Sequence, residues 1–129
     1  MTAIYGIGTD IVQVKRFAAS LQRFGQRIAH RILTDTEYLA FQKNPRPAHF
    51  LAKRFAAKEA AAKALGLGIR QGLSFKQINV SNDKHGKPSL EYTGKAAQFC
   101  LKQGIKINHL SIADEKDYAV AFVTLEIAE

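Results

Sequence analysis

Residues 54–66 read Arg-Phe-Ala-Ala-Lys-Glu-Ala-Ala-Ala-Lys-Ala-Leu-Gly, and this stretch decides the fold. Alanine and long unbranched side chains dominate it, a strong helix-forming composition, and Gly66 is the kind of residue at which a helix stops. On such a helix Leu51, Phe55, Ala62 and Leu65 fall on one apolar stripe, spaced i, i+4, i+11 and i+14. The i+7 place of that stripe is Lys58, a charge where a core residue is expected. Glu59 and Lys63 lie at its edge, one helical turn apart and nearly in line along the axis. Two readings fit. In one, Glu59 and Lys63 form an i, i+4 ion pair of about 0.2–0.5 kcal/mol, and Lys58 snorkels its amine to water. In the other, a carboxylate flanked by two ammonium groups beside an apolar face serves chemistry rather than packing.

Working outward, the start of the chain carries Ile4-Tyr5-Gly6-Ile7-Gly8-Thr9-Asp10-Ile11-Val12. The β-branched residues and two glycines predict a strand with a close backbone approach. Its single carboxylate is costly to bury unpaired, so Asp10 needs a cation, a set of donors or a metal as partner. The plainer alternative is that Asp10 caps a following helix. Asp10 and Glu59 together could hold a hard divalent cation through oxygen. Magnesium takes one or two protein carboxylates and fills its octahedron with water and phosphate oxygens. Lys58 and Lys63 would then stand beside the bound phosphates.

The remaining elements follow from periodicity and punctuation. Val14, Phe17, Leu21 and Phe24 predict an amphipathic helix stopping at Gly25. Thr34-Asp35-Thr36-Glu37 has the spacing of a capping box and opens a short helix through Tyr38, Leu39 and Phe41. Pro45 and Pro47 interrupt, and the Ala-rich helix starts just after them. Gly66, Gly68 and Gly72 predict a flexible crossing into a strand with Phe75, Ile78 and Val80. A charged turn at residues 82–88 joins that strand to Ser89-Leu90-Glu91-Tyr92 as a hairpin. A helix near residues 94–103 ends at Gly104, and two strands follow at 107–112 and 118–127. Mainly antiparallel strands mixed with helices place the chain in the α+β class: a single small domain, residues 1–129, with its sheet packed on the long helix.

Composition narrows the function classes. Nineteen Lys and Arg against eleven Asp and Glu leave a net charge of +8, which favours nucleic acid, an acidic protein or a phosphorylated ligand as partner. The one cysteine, Cys100, forms no intrachain disulfide and reads as a packed thiol beside Ala97, Phe99 and Leu101. No apolar run approaches membrane-spanning length, and Asp10 interrupts the first one. The expectation is a cytoplasmic protein. His30, His49 and His85 have no metal-ligand spacing.

Gly6-Ile7-Gly8-Thr9-Asp10-Ile11 with Arg16, then Arg54-Phe55-Ala56-Ala57-Lys58-Glu59-Ala60-Ala61-Ala62-Lys63, then His109-Leu110-Ser111, resembles holo-acyl-carrier-protein synthase, the small trimeric class of 4′-phosphopantetheinyl transferases. The family's Gly-x-Asp strand, its Phe-x-x-Lys-Glu-x-x-x-Lys helix and its His-Leu-Ser segment occur in order, and the likeness runs along essentially the whole chain. It implies transfer of the phosphopantetheine arm from coenzyme A to a serine of an acyl carrier protein, with adenosine 3′,5′-bisphosphate leaving, in fatty acid synthesis.

The resemblance also implies roles. Asp10 and Glu59 match the magnesium ligands, and Glu59 and Lys63 the catalytic pair, Lys63 offsetting charge on the leaving group. Glu59 or a metal-bound water would be the base; the two stay open. Coenzyme A is expected to meet Lys63, Gly66, His109, Lys84 and Gly86, although His109 also suits a structural role and the turn at Lys84 a solvated one. Arg16 and Arg23, with Lys15, Arg27 and Arg31 around them, are expected to dock the acidic carrier protein or else to form a solvated helix face. A homotrimer with active sites between subunits is implied, with no nucleic acid and no membrane as partner. Asp114, where relatives vary, receives no role.

Two other classes compete. A small basic RNA-binding module would use the same charge and Tyr5, Phe75 and Tyr92. The chain lacks an aromatic-rich ribonucleoprotein strand motif, however, and Gly66-Leu67-Gly68 is not a nucleic-acid GXXG loop. That reading gives Asp10 and Glu59 nothing to do. A noncatalytic assembly subunit would not need Asp10, Glu59 and Lys63 together.

Overall fold

The computed structural model describes residues 1–69 and 72–128; positions 70 and 71, in the middle of the expected glycine-rich crossing, lie outside them. In chain order the elements are β1 (Thr2–Gln13), α1 (Val14–Phe24), α2 (Gln26–Ile32), α3 (Asp35–Lys43), α4 (Pro47–Leu65), β2 (Ile78–Asn82), β3 (Pro88–Tyr92), α5 (Gly94–Gln103), β4 (Ile105–Asp114) and β5 (Tyr118–Ala128).

The Ala-rich stretch is the second half of α4. Pro47 opens the helix, where its missing N–H leaves nothing unsatisfied. Gly66 closes it at φ 79°, a left-handed conformation that a side chain resists, and its amide donates to the Lys63 carbonyl at 3.0 Å. The expected single apolar stripe proves too narrow. Leu51, Ala52, Ala56, Ala57, Ala60, Ala61 and Leu65 are all buried, because α4 lies between a sheet and the helices α1–α3. Alanine lets both sides come close.

The sheet is antiparallel in the order β1-β5-β4, and β2 and β3 form a separate hairpin. Register pairs Asp10 with Ala121, Thr9 with Phe122, and His109 with Thr124. Strand alternation then sorts the side chains into two faces. Ala119, Ala121, Val123 and Leu125 face α4 and are buried; removing Val123 or Leu125 from water contributes about 1.5–3 kcal/mol each. Gly6 and Gly8 carry the close approach. A Cβ at Gly6 would collide with the Ala64 carbonyl oxygen, and one at Gly8 with that of Ala60. The opposite face is exposed and apolar: Ile7, Ile11 and Phe122 are 59%, 64% and 45% accessible.

Three expectations are corrected. Residues 26–32 form a helix that periodicity did not reveal; Gly25, at φ 62°, turns the chain and lets a new helix start without a side-chain cap. Phe75 sits in a 3₁₀ turn at Phe75–Gln77 rather than in the following strand. Asp10 lies inside β1 and caps nothing, since α1 begins after Gln13. The predicted capping box is present, with Glu37 N donating to Thr34 Oγ1 and Thr34 N to Glu37 Oε1.

Candidate active site

β1 and α4 meet at Asp10, Glu59 and Lys63. Asp10 faces α4 because it alternates with Gly8 and Val12, whose missing or buried side chains line the same face. Lys63 Nζ donates to Asp10 Oδ1 at 3.1 Å and to the Thr9 carbonyl at 2.9 Å. The ion pair expected between Glu59 and Lys63 is therefore replaced by one across elements. Asp10 Oδ2 is buried and accepts no hydrogen bond from any described residue. Burial, and then the neighbouring Asp10 carboxylate, hold the Glu59 carboxyl above the ordinary range, while Lys63 and Arg16 oppose the shift. Two carboxylates thus share one neighbourhood, and one presents a buried oxygen without a donor.

Beside them opens a cleft of about 450 Å³. Glu59 and Arg16 stand in its lining with Ile28, Ile32, Phe55 and Phe75. The Arg16 guanidinium lies 5.5 Å from the Phe17 and Phe55 ring centres. Arg31 lines the same cleft, whereas Arg23 stacks over Phe24 at 5.0 Å on the outer side of α1.

Lys58 does not join this site, contrary to both sequence readings. It is fully buried and donates to Glu37 Oε1 at 2.6 Å, to the Ile32 carbonyl at 2.8 Å and to the Phe75 carbonyl at 2.9 Å. Burial pulls its ammonium below the ordinary lysine value, and the Glu37 carboxylate opposes that shift. Its place on the core side of α4 puts it away from water and phosphate alike.

The other expected contact residues fall elsewhere. Gly86, at φ 84°, forms the hairpin turn with Lys84, and Asp83 Oδ1 accepts the amides of His85 and Lys87. Gly86 lines a separate cleft of about 240 Å³ together with Lys53, Arg54, Asn82 and Asp114. Arg54 is a residue that sequence reasoning passed over. It is nearly buried, stacks on Phe50 at 4.5 Å, and donates from Nη2 to Asn82 Oδ1 at 3.0 Å. Its Nε has no partner among the described residues. An arginine within the Ala-rich helix is the signal that the sequence offers. His109 pairs with Glu126 at 2.8 Å on the exposed face of the sheet, opposite to the face that carries Asp10. Within one chain the structure brings together Asp10, Glu59, Lys63 and Arg16, but not His109 or Gly86 with them. Gly66 is exposed, and its amide is already donated within the helix cap.

The model of the 4′-phosphopantetheinyl transferase superfamily matches residues 6–123. The chain belongs to this family. It is 51% identical to the holo-[acyl-carrier-protein] synthase of Pectobacterium carotovorum over 124 residues, 96% of this chain and 98% of that one. Its fold superposes on the crystal structure of holo-[acyl-carrier-protein] synthase from Neisseria meningitidis with a TM-score of 0.90 at 48% identity, covering 95% of this chain and 98% of the other. The Bacillus anthracis holo-(acyl-carrier-protein) synthase, solved in complex with CoA (3′,5′-ADP), superposes with a TM-score of 0.79 at 41% identity, covering 97% and 98%. No described helix is long and apolar enough to cross a membrane.

Proposed function

We propose that this chain is a holo-acyl-carrier-protein synthase, which moves the 4′-phosphopantetheine group of coenzyme A to a serine of an apo acyl carrier protein in fatty acid synthesis. The serine oxygen bonds to the pantetheine-side phosphorus, the bond from that phosphorus to the bridging oxygen breaks, and adenosine 3′,5′-bisphosphate leaves with it. The serine proton passes to a base in the cleft. The observation that carries this reading is the nearness of Asp10, with its buried unpartnered oxygen, to Glu59, which has Lys63 and Arg16 around it and lines one cleft together with Arg16.

Asp10 and Glu59 fit a magnesium ion. Two hard carboxylates are what magnesium takes from a protein, and no group of three or more His, Cys, Asp or Glu gathers among the described residues to suit a softer metal better. Bound there, magnesium would supply charge stabilisation to the diphosphate oxygens. The chain's own groups do the rest. Lys63, held over β1, adds a cation where leaving-group charge grows, and Glu59 faces the cleft where the serine proton is lost. Arg16 and Arg31 offer cations to an acidic carrier helix, and Arg23 extends that surface. Arg54, Lys84 and Gly86 would receive the nucleotide end.

The opposed faces of Asp10 and His109 support a homotrimer with shared sites: a second protomer seated on the apolar outer face brings its groups to the first. In this arrangement His109 serves its neighbour's diphosphate. Such a protein works in the cytoplasm, beside its carrier protein. The test is incubation with coenzyme A, magnesium chloride and an apo carrier protein, followed by intact-mass measurement. A phosphopantetheine adduct on the carrier is expected, and none across a series of divalent metals rejects the reading.

A further inference from the structure

One buried ammonium ties together five parts of this fold. Lys58 uses all three of its protons, on the carbonyls of Ile32 and Phe75 and on Glu37 Oε1. Glu37 uses both oxygens: Oε1 also accepts Thr34 N at 2.8 Å, and Oε2 accepts Val80 N at 2.6 Å. The end of α2, the cap of α3, the middle of α4, the 3₁₀ turn and β2 therefore converge on a single ion pair that is shut off from water. Hydrophobic residues of similar volume commonly pack such a place at equal or better stability, so the pair is poorly explained by stability alone.

Its partners explain it better. Ile32 and Phe75, whose carbonyls Lys58 holds, both line the cleft that contains Glu59, and Glu59 is the next residue along α4. The Phe75 ring also stands 5.5 Å from Phe55, another lining residue. The ammonium thus clamps two segments of the cleft wall to the turn of helix that presents the carboxylate. Asp10 lies on β1, and Lys63 bonds to it and to the Thr9 carbonyl; the clamp's hydrogen bonds run to other described residues.

Resting on the transferase reading, we propose that Lys58, through Glu37, is a positioning residue that fixes the walls of this cleft around the serine-bearing segment of the carrier protein. It acts on turnover of the carrier and leaves coenzyme A binding unchanged. A wall displaced by about 1 Å at a reacting centre lowers rates by up to about a hundredfold.

The test compares wild type, Lys58→Met and the paired variant Lys58→Met/Glu37→Gln, which does not leave a bare carboxylate in the core. Each is measured for the rise in melting temperature with coenzyme A and magnesium chloride, and for steady-state constants with each substrate varied in turn. The expected result is a wild-type ligand-induced rise and coenzyme A KM, with kcat/KM for the carrier lowered about ten- to a hundredfold. A lower melting temperature with wild-type constants for both substrates would make the pair merely structural and overturn the proposal. Hydrogen exchange in the wild type decides the matter if neither variant folds. The amides of Leu33 and Val80 should exchange with the slow class of α4, and faster local exchange would show that no clamp exists. Absence of transfer by the wild type would reject the transferase reading as well; wild-type transfer with unchanged variants would reject only this inference.

Discussion

Lys63 Nζ stands 3.1 Å from Asp10 Oδ1, while Asp10 Oδ2 remains buried without a donor. One half of the carboxylate is neutralised by the helix, and the other half faces a place that a cation suits. Asp10→Ala should therefore abolish both turnover and the rise of melting temperature with magnesium, leaving the fold intact. Lys63→Ala should behave differently. Its side chain is 54% exposed, so the ion pair contributes only about 0–1 kcal/mol to stability. Turnover should still fall about 10²–10³-fold, the usual effect of removing one group that stabilises developing charge. Wild-type rates for Asp10→Ala at saturating magnesium would contradict the metal assignment.

Glu59 gives a prediction in pH. Its carboxyl is raised by burial and by Asp10, so the folded chain favours the protonated form. The group costs no stability below the ordinary carboxylate value of 4.5. Its cost grows as pH climbs above that value, where only the unfolded chain ionises freely, and is complete once pH has passed the raised folded value. Relative to Glu59→Gln, the metal-free wild type should lose stability with rising pH across that window. Magnesium should close the gap, because it favours the carboxylate. Urea midpoints of both proteins at a series of pH values measure this; parallel curves would remove the carboxylate neighbour from the account.

Much of this architecture is readable from local chemistry. The capping box at Thr34, the stop at Gly66, the hairpin around Gly86 and the helix ending at Gly104 each depend on residues close in sequence. Lys58 shows where that kind of reading ends. Its helical position suggested either water or phosphate, but its partner Glu37 is 21 residues away, and only packing of α3 on α4 brings the two together. Arg54 was passed over for the same reason, since its partner Asn82 belongs to a distant hairpin. The placement of His109 opposite Asp10 depends on the register of three strands, since His109 and Ile7 both pair with Thr124 and Asp10 lies three residues beyond Ile7, on the other face.

Gly8 should tolerate no side chain. A Cβ there meets the Ala60 carbonyl oxygen, which belongs to a helix backbone and cannot swing aside. Gly8→Ala should destabilise the fold by about 1–3 kcal/mol. It should also depress activity in the folded fraction, because the displaced strand carries Asp10. Chemical denaturation and kinetics on the same samples separate the two effects. A variant with wild-type stability would show that β1 has freedom to back away from α4.

The outer sheet face makes assembly testable. Phe122→Glu places a charge in the centre of the exposed apolar face, beside Thr9 and Ser111 in the register. Light scattering should give a trimer for the wild type and a smaller species for the variant. If His109 acts on a neighbour's substrate, Asp10→Ala and His109→Ala should each be poorly active alone. Co-expressed, they should restore about a quarter of the sites, those where an intact inner face meets an intact outer face. Failure of the mixture to regain activity would confine each site to a single chain.

Arg16 lies where two functions meet. It packs against Phe17 and Phe55, lines the cleft, and lowers the pKa of Glu59. If its partner is an acidic helix of the carrier protein, Arg16→Glu replaces attraction by repulsion at that interface. The carrier's KM should rise and its association slow, while coenzyme A still raises the melting temperature as in the wild type. Wild-type activity should also fall with added salt, since exposed charges are screened beyond about 8 Å at physiological ionic strength. The same substitution removes a cation that opposes the shift at Glu59 and adds an anion, so the acidic limb of the pH profile should move upward. Docking and titration are separable by the neutral variant Arg16→Gln, which removes the attraction without adding repulsion. It should raise the carrier's KM less than Arg16→Glu and displace the acidic limb less. A loss of coenzyme A binding with an unchanged carrier KM would instead assign Arg16 to the phosphates, and the basic face of α1 would then be a wall of the nucleotide site.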